Sequence, residues 1–246
     1  MSDHFDKSLK VAVLQTGRSP EDLRAVHGDY DDMCKALLGR EATEADTFAI
    51  LDGEFPASLD PYDVLLITGS RHGVYEGHDW IPPLEDLIRK ADAAKKTMIG
   101  ICFGHQIIAQ ALGAKVAKSD KGFGVGVMEY ELKVEDEASE TIALCAWHQD
   151  QVLSVPDGAE IIASSEFCPI AGLRYGDHAI SFQPHPEFTR DYVAKLVKVR
   201  REGGTLNAEI AEKAEISLAQ ETDTPVIQKL LAEFIGERVA SADVPA

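Results

Sequence analysis

Short apolar runs closed by glycine recur through the first half of the chain. Leu9 to Gly17 (LKVAVLQTG) is one, Tyr62 to Ser70 (YDVLLITGS, closed by Gly69) a second, and TMIGI from Thr97 a third. Runs apolar on both faces predict strands buried in a parallel sheet. Helical spacing falls between them. Pro20 to Leu38 has helical character, and Pro82 and Pro83 sit where a helix starts, ahead of Leu84, Leu87 and Ile88. After TMIGI, residues Ile107, Ile108, Ala111 and Leu112 form one apolar stripe. Strand, helix and strand joined by short links predict right-handed βαβ units.

The second half alternates differently. GVGVMEYELKV switches between apolar and polar residues, as a half-exposed strand does. IAGLRYGDHAISFQPHP holds two strands meeting at Tyr175-Gly176-Asp177, a hairpin pattern. After REGG, residues Val226, Ile227, Leu230, Leu231 and Phe234 predict an amphipathic helix packed back on the core. The expected fold is α/β and three-layered: a flavodoxin-like, doubly wound, mostly parallel sheet with a small antiparallel patch and C-terminal helices. One domain over 1–246 is expected, with a core at about 9–200 and a helical extension at about 204–240.

Composition narrows the partners. The chain has 246 residues, 45% of them hydrophobic, enough for one sizeable core. Acidic residues outnumber Lys and Arg by 42 to 24, a formal charge of -18, which disfavours nucleic acid and anionic lipid. No apolar run approaches the ~20 residues that span a bilayer. The polar start MSDHFDKSLK carries no apolar targeting segment. Cys34, Cys102, Cys145 and Cys168 are scattered without a CxxC pair, as expected of reduced thiols in a cytoplasmic protein.

One stretch carries chemistry. Gly100-Ile101-Cys102-Phe103-Gly104 lies where the third apolar run ends and a helical stripe begins. A nucleophile on such a tight strand-to-helix turn crowds its neighbours, and glycines two residues to either side relieve the clash. The turn lifts the side chain over the carboxyl edge of the sheet and aims the first helix amides at the reacting atom. A thiol nucleophile needs a base, and the base an orienting group. SFQPHPEF offers both: His185 and Glu187, braced by Pro184 and Pro186. Cys102 and His105 have no matching second pair, so no metal is expected there. His72 and His78, in a Gly-rich loop, read as solvated.

GICFGHQ together with HPE resembles the class I, triad-type glutamine amidotransferases over about Leu9 to Tyr192. The resemblance implies a nucleophile at Cys102, a base at His185 and its orienting acid at Glu187. It places the oxyanion loop at Gly69 and Ser70, in ITGSRHGVYEG, with the Phe103 amide as second donor. Ser-Arg stands where the family usually has Gly-Pro or similar. Gln106 matches the family's glutamine after the elbow, and AWHQDQV resembles the segment holding the substrate's amino-acid end, at Trp147, His148 and Asp150. The loop TGSRHGVYEGHDWIPPL is most similar to the free-standing branch related to the amidotransferase domain of GMP synthase, which includes γ-glutamyl peptidases.

The expected reaction is cleavage of the γ-glutamyl amide of glutamine or a γ-glutamyl compound through a cysteine thioester, with no cofactor and no metal. A His-paired thiol can drop from ~8.5 to well below 7. Two alternatives stand beside it: a glutaminase subunit feeding ammonia to a separate synthetase chain, and a non-catalytic binding protein on the same fold. No GxxxxGK[ST] loop is present, so any synthetase must be another chain. Association into a homo-oligomer stays open.

Overall fold

The computed structural model describes residues 9–39, 44–133 and 139–242; of the polar N-terminal stretch, residues 1–8 lie outside the described residues. In chain order the first elements are β1 (Lys10–Gln15), α1 (Glu21–His27), α2 (Tyr30–Leu38), β2 (Glu44–Ala49), β3 (Val64–Ile67) and α3 (Ile81–Ala93). There follow β4 (Thr97–Ile101), α4 (Phe103–Ala111), β5 (Val116–Lys118), β6 (Gly124–Leu132), β7 (Glu140–His148) and β8 (Asp150–Val152). The last are β9 (Ala159–Ser164), β10 (Gly172–Tyr175), β11 (Ala179–Phe182), α5 (Arg190–Glu202), α6 (Ala208–Ser217) and α7 (Thr224–Ala242).

Nine strands form one sheet in the order β2-β1-β3-β4-β11-β10-β9-β6-β7. From β2 to β11 the neighbours are parallel, and from β11 to β7 they are antiparallel. A two-stranded ribbon, β5 with β8, stands apart. The interior of the parallel half is dry: every residue of β3, β4 and β11 is buried, while the edge strand β2 faces solvent. Period-two alternation sorts its side chains onto two cores. Val11, Val13, Ile99 and Ile180 pack under α2 and α7, whereas Ala12, Leu14 and Met98 pack under α3 and α4. A third core joins α1, α5 and α6 to Val125, Val127, Ala143 and Cys145 of the wing.

Two expectations are refined. The helical stretch from Pro20 to Leu38 is two helices, because Gly28 at φ 80 ends α1 and Asp29 caps α2 in a reciprocal box with Asp32. The C-terminal extension likewise holds α6, capped by the Asn207 side chain, before α7. Among the described residues no helix is long and apolar enough to cross a membrane.

Candidate functional site

At the carboxyl end of β4 the chain turns sharply into α4. Cys102 occupies the turn at φ 52, ψ -99; among the described non-glycine residues only Lys95 shares a positive φ. Such a conformation costs ~1–3 kcal/mol and must be held by its surroundings. The Cys102 N–H donates to Phe182 O at 2.8 Å, and the Gln106 N–H donates to Cys102 O at 3.1 Å. The glycines are sterically required. A Cβ on Gly100 would stand 2.6 Å from Gly104 O, and one on Gly104 would stand 2.3 Å from Ile67 O. No side chain caps α4, so its first-turn amides stay available beside the sulfur.

The imidazole arrives through strand pairing. β11 lies beside β4 in parallel register, with Phe182 opposite Ile101. The next residue, Gln183, therefore flanks Cys102, its Nε2 3.6 Å from Sγ. Two residues on, the His185 N–H donates to Cys145 O of β7 at 2.7 Å, and the ring stacks on Phe188 at 4.0 Å and 7°. Nδ1 donates to Glu187 Oε1 at 2.7 Å, since a carboxylate can only accept. Gly69 closes the other side: a Cβ there would stand 3.1 Å from His185 Cε1 and 3.8 Å from Cys102 Cβ.

Charge decides the state of this histidine. Burial drives it toward the neutral form, but the Glu187 carboxylate and the Cys102 sulfur outweigh that, and its pKa is raised to about 10. Nε2 is buried without a partner that meets hydrogen-bond geometry, yet the Cys102 sulfur is near enough to favour the charged ring. Glu187 Oε2 is likewise buried and unpartnered. A buried carboxylate this poorly solvated is tolerable only beside a cation.

Cys102 opens onto a cavity of about 410 Å³ that includes Ser70, Gln106, Trp147, His148 and Asp150 in its lining. All the residues singled out around the substrate thus meet at one place, though not all with free groups. Gln106 Nε2 is occupied, donating to Asp150 O and Gln183 Oε1, both at 3.0 Å. The Asp150 carboxylate accepts from Tyr75 OH at 3.0 Å. His148 is neutral: burial, and then the charge of His185, lower its pKa to about 3, leaving Nε2 buried without a partner. Thr16 Oγ1 donates to Thr68 O and Gly69 O, and Ser70 Oγ donates to Thr16 O, which locks the 68–70 turn.

Sequence reasoning missed Gln183, although it is the first polar residue after the β11 run. It also missed Tyr75, Lys118 and Arg200, which the fold brings to the cavity from separate elements. His72 and His78, expected to be solvated, are half-buried and bonded to Glu76. His105 is sealed inside, between Ser181 Oγ at 2.8 Å and Ile170 O at 3.2 Å, and has no access to a shared ion with Cys102. Burial pushes the Cys145 and Cys168 thiols up to about 12 and raises that of Cys34 as well.

Comparison with known proteins agrees with this geometry. Residues 45–194 match the family model for glutamine amidotransferase class-I. The chain is 32% identical to gamma-glutamyl peptidase 3 of Arabidopsis thaliana, over 94% of this chain and 98% of the relative. It is 28% identical to the glutamine-hydrolyzing GMP synthase of Aromatoleum aromaticum, over 86% of this chain and 46% of that protein. In fold it is similar to a glutamine amido transferase from Methylobacillus flagellatus, with a TM-score of 0.74 at 22% identity over 94% of both chains. With the family model covering more than half its length, and a relative matched nearly end to end, this chain belongs to the class I glutamine amidotransferase family.

Proposed function

We propose that the chain is a cysteine hydrolase that cleaves the γ-glutamyl amide of glutamine or a γ-glutamyl compound through a thioester on Cys102. The observation that carries this reading is a buried imidazole held cationic between Glu187 and a sulfur at a strained strand-to-helix turn. A structural thiol needs neither the strain nor the charge.

In the first step the Cys102 sulfur attacks the γ-carbonyl carbon. The carbonyl oxygen becomes an oxyanion beside the α4 amides, with Phe103 N–H as one donor. Gly69 O is turned toward Thr16, and across a trans peptide the Ser70 N–H points the opposite way, which supports it as the second donor. Each donor is worth on the order of 3 kcal/mol of barrier. His185 Nε2 then gives its proton to the departing nitrogen, the C–N bond breaks, and the acyl group stays on sulfur. The neutral ring next takes a proton from water, whose oxygen attacks the thioester and releases glutamate. Glu187 holds the ring in the tautomer that leaves Nε2 facing the reaction.

The match along nearly the whole length of a γ-glutamyl peptidase supports hydrolysis of a γ-glutamyl compound. Glutamate release from glutamine, from γ-glutamyl dipeptides and from an α-linked control tests the reading in wild type and Cys102→Ala. The expected result is release from γ-linked substrates only, falling at least ~10³-fold in the variant. Release that appears only with an added synthetase assigns the subunit role. Ligand binding without release assigns a binding protein and overturns the hydrolase.

A further inference from the structure

The cavity rim carries a second cluster that the proposed hydrolysis does not use. In the loop between β3 and α3, Glu76 Oε2 lies 3.1 Å from His72 Nδ1 and 2.7 Å from His78 Nε2. All three atoms fall within 4.8 Å of one another, and the two rings are 4.2 Å apart. The geometry points to a site for a divalent cation of the zinc class, ligated by His72 Nδ1, Glu76 Oε2 and His78 Nε2.

Donor chemistry supports the assignment. Two imidazoles and one carboxylate suit a borderline ion such as Zn2+ and are too nitrogen-rich for Ca2+ or Mg2+. Zinc bonds of ~2.0–2.2 Å put tetrahedral ligand atoms ~3.4 Å apart. The two separations to Glu76 are slightly shorter and the third lies within 4.8 Å, so these side chains need only small adjustments around an ion. One carboxylate oxygen now accepts from two ring N–H groups. A cation at the centre replaces both protons, which move to the opposite ring nitrogens without changing either imidazole's charge. Arg71 Nε, 3.5 Å from His72 Nε2, is on an exposed side chain that can turn away.

The loop is shaped in advance. The Glu76 N–H donates to Gly73 O, the His78 N–H to Glu76 O and the Ile81 N–H to His78 O, at 2.9–3.1 Å. Trp80 stacks on His78 at 12° and leans on Phe103, the first residue of α4. Three protein ligands leave a fourth position open, and His72 and Glu76 both line the cavity that holds Cys102. A bound ion would therefore sit at the wall of the cavity onto which Cys102 opens. The net charge of -18 favours its capture.

Calorimetric titration with Zn2+ tests this in a Cys102→Ala background, which removes the other sulfur-imidazole pair able to take zinc. One equivalent should bind, and His72→Asn, Glu76→Gln and His78→Gln should each weaken it at least tenfold, with unchanged circular dichroism. Asn and Gln keep the polar atom near its place, so folding should survive; Co2+ absorption, read on the same proteins, should report a site without sulfur and vanish in the variants. No stoichiometric binding, or binding indifferent to all three substitutions, overturns the site, whatever becomes of the hydrolase reading.

Discussion

The two halves of the sheet divide the labour differently. In the parallel half, β1, β3, β4 and β11 are sealed on both faces and converge at their carboxyl ends on Gly69, Cys102 and Gln183. The antiparallel wing is wetter; it contributes cavity walls, Trp147 and His148 at the end of β7, and none of the proposed reacting groups. Its backbone hydrogen bond to the proposed reacting groups is the Cys145 carbonyl that receives the His185 N–H. Close packing leaves the buried half little slack, whereas side chains of the wing are expected to vary at less cost to the proposed chemistry.

Three substitutions sharpen that contrast. Glu187→Gln should be the most damaging to turnover, lowering kcat on the order of 10³-fold while the protein stays folded. It also moves the pH profile. Burial opposes the imidazolium and Glu187 favours it, so removing the carboxylate lets the His185 pKa fall from about 10. The alkaline limb of kcat against pH, where the proton donor is lost, should shift toward neutral. An unmoved limb would detach Glu187 from the ring's charge.

Gly104→Ala should cost about 3 kcal/mol or more in urea unfolding, because its methyl meets the Ile67 carbonyl inside the parallel half. Cys145→Ala, in the wing, should cost only about 1 kcal/mol and change kcat less than about threefold, since the carbonyl that holds His185 remains. A kcat collapse in Cys145→Ala would place chemistry in the wing and end the distinction.

The same division sets what a reader of the sequence can see. The elbow was legible because three constraints coincide in five residues: an apolar run, two glycines and a helical stripe. His185 and Glu187 were legible as a proline-braced pair, and their approach to Cys102 follows from Phe182 pairing with Ile101. β2 left no comparable trace, since a parallel edge strand facing water has few buried positions. Gln183 looked like one polar residue among several. Lys118 and Arg200 reach the cavity from β5 and α5, which no local spacing reveals. His72, Glu76 and His78, spaced four and two residues apart, come together through consecutive tight turns in a stretch that forms neither helix nor strand.

Sulfur and imidazole both lie just past the ends of paired strands, Cys102 one residue beyond β4 and His185 three beyond β11, so the β4–β11 register sets where each segment leaves the sheet. One residue inserted into β11 would slip that register and turn the following side chains to the other face. Remodelling the loop between residues 71 and 80 leaves that register alone, so new acyl donors can be sought there while Cys102 and His185 keep their places.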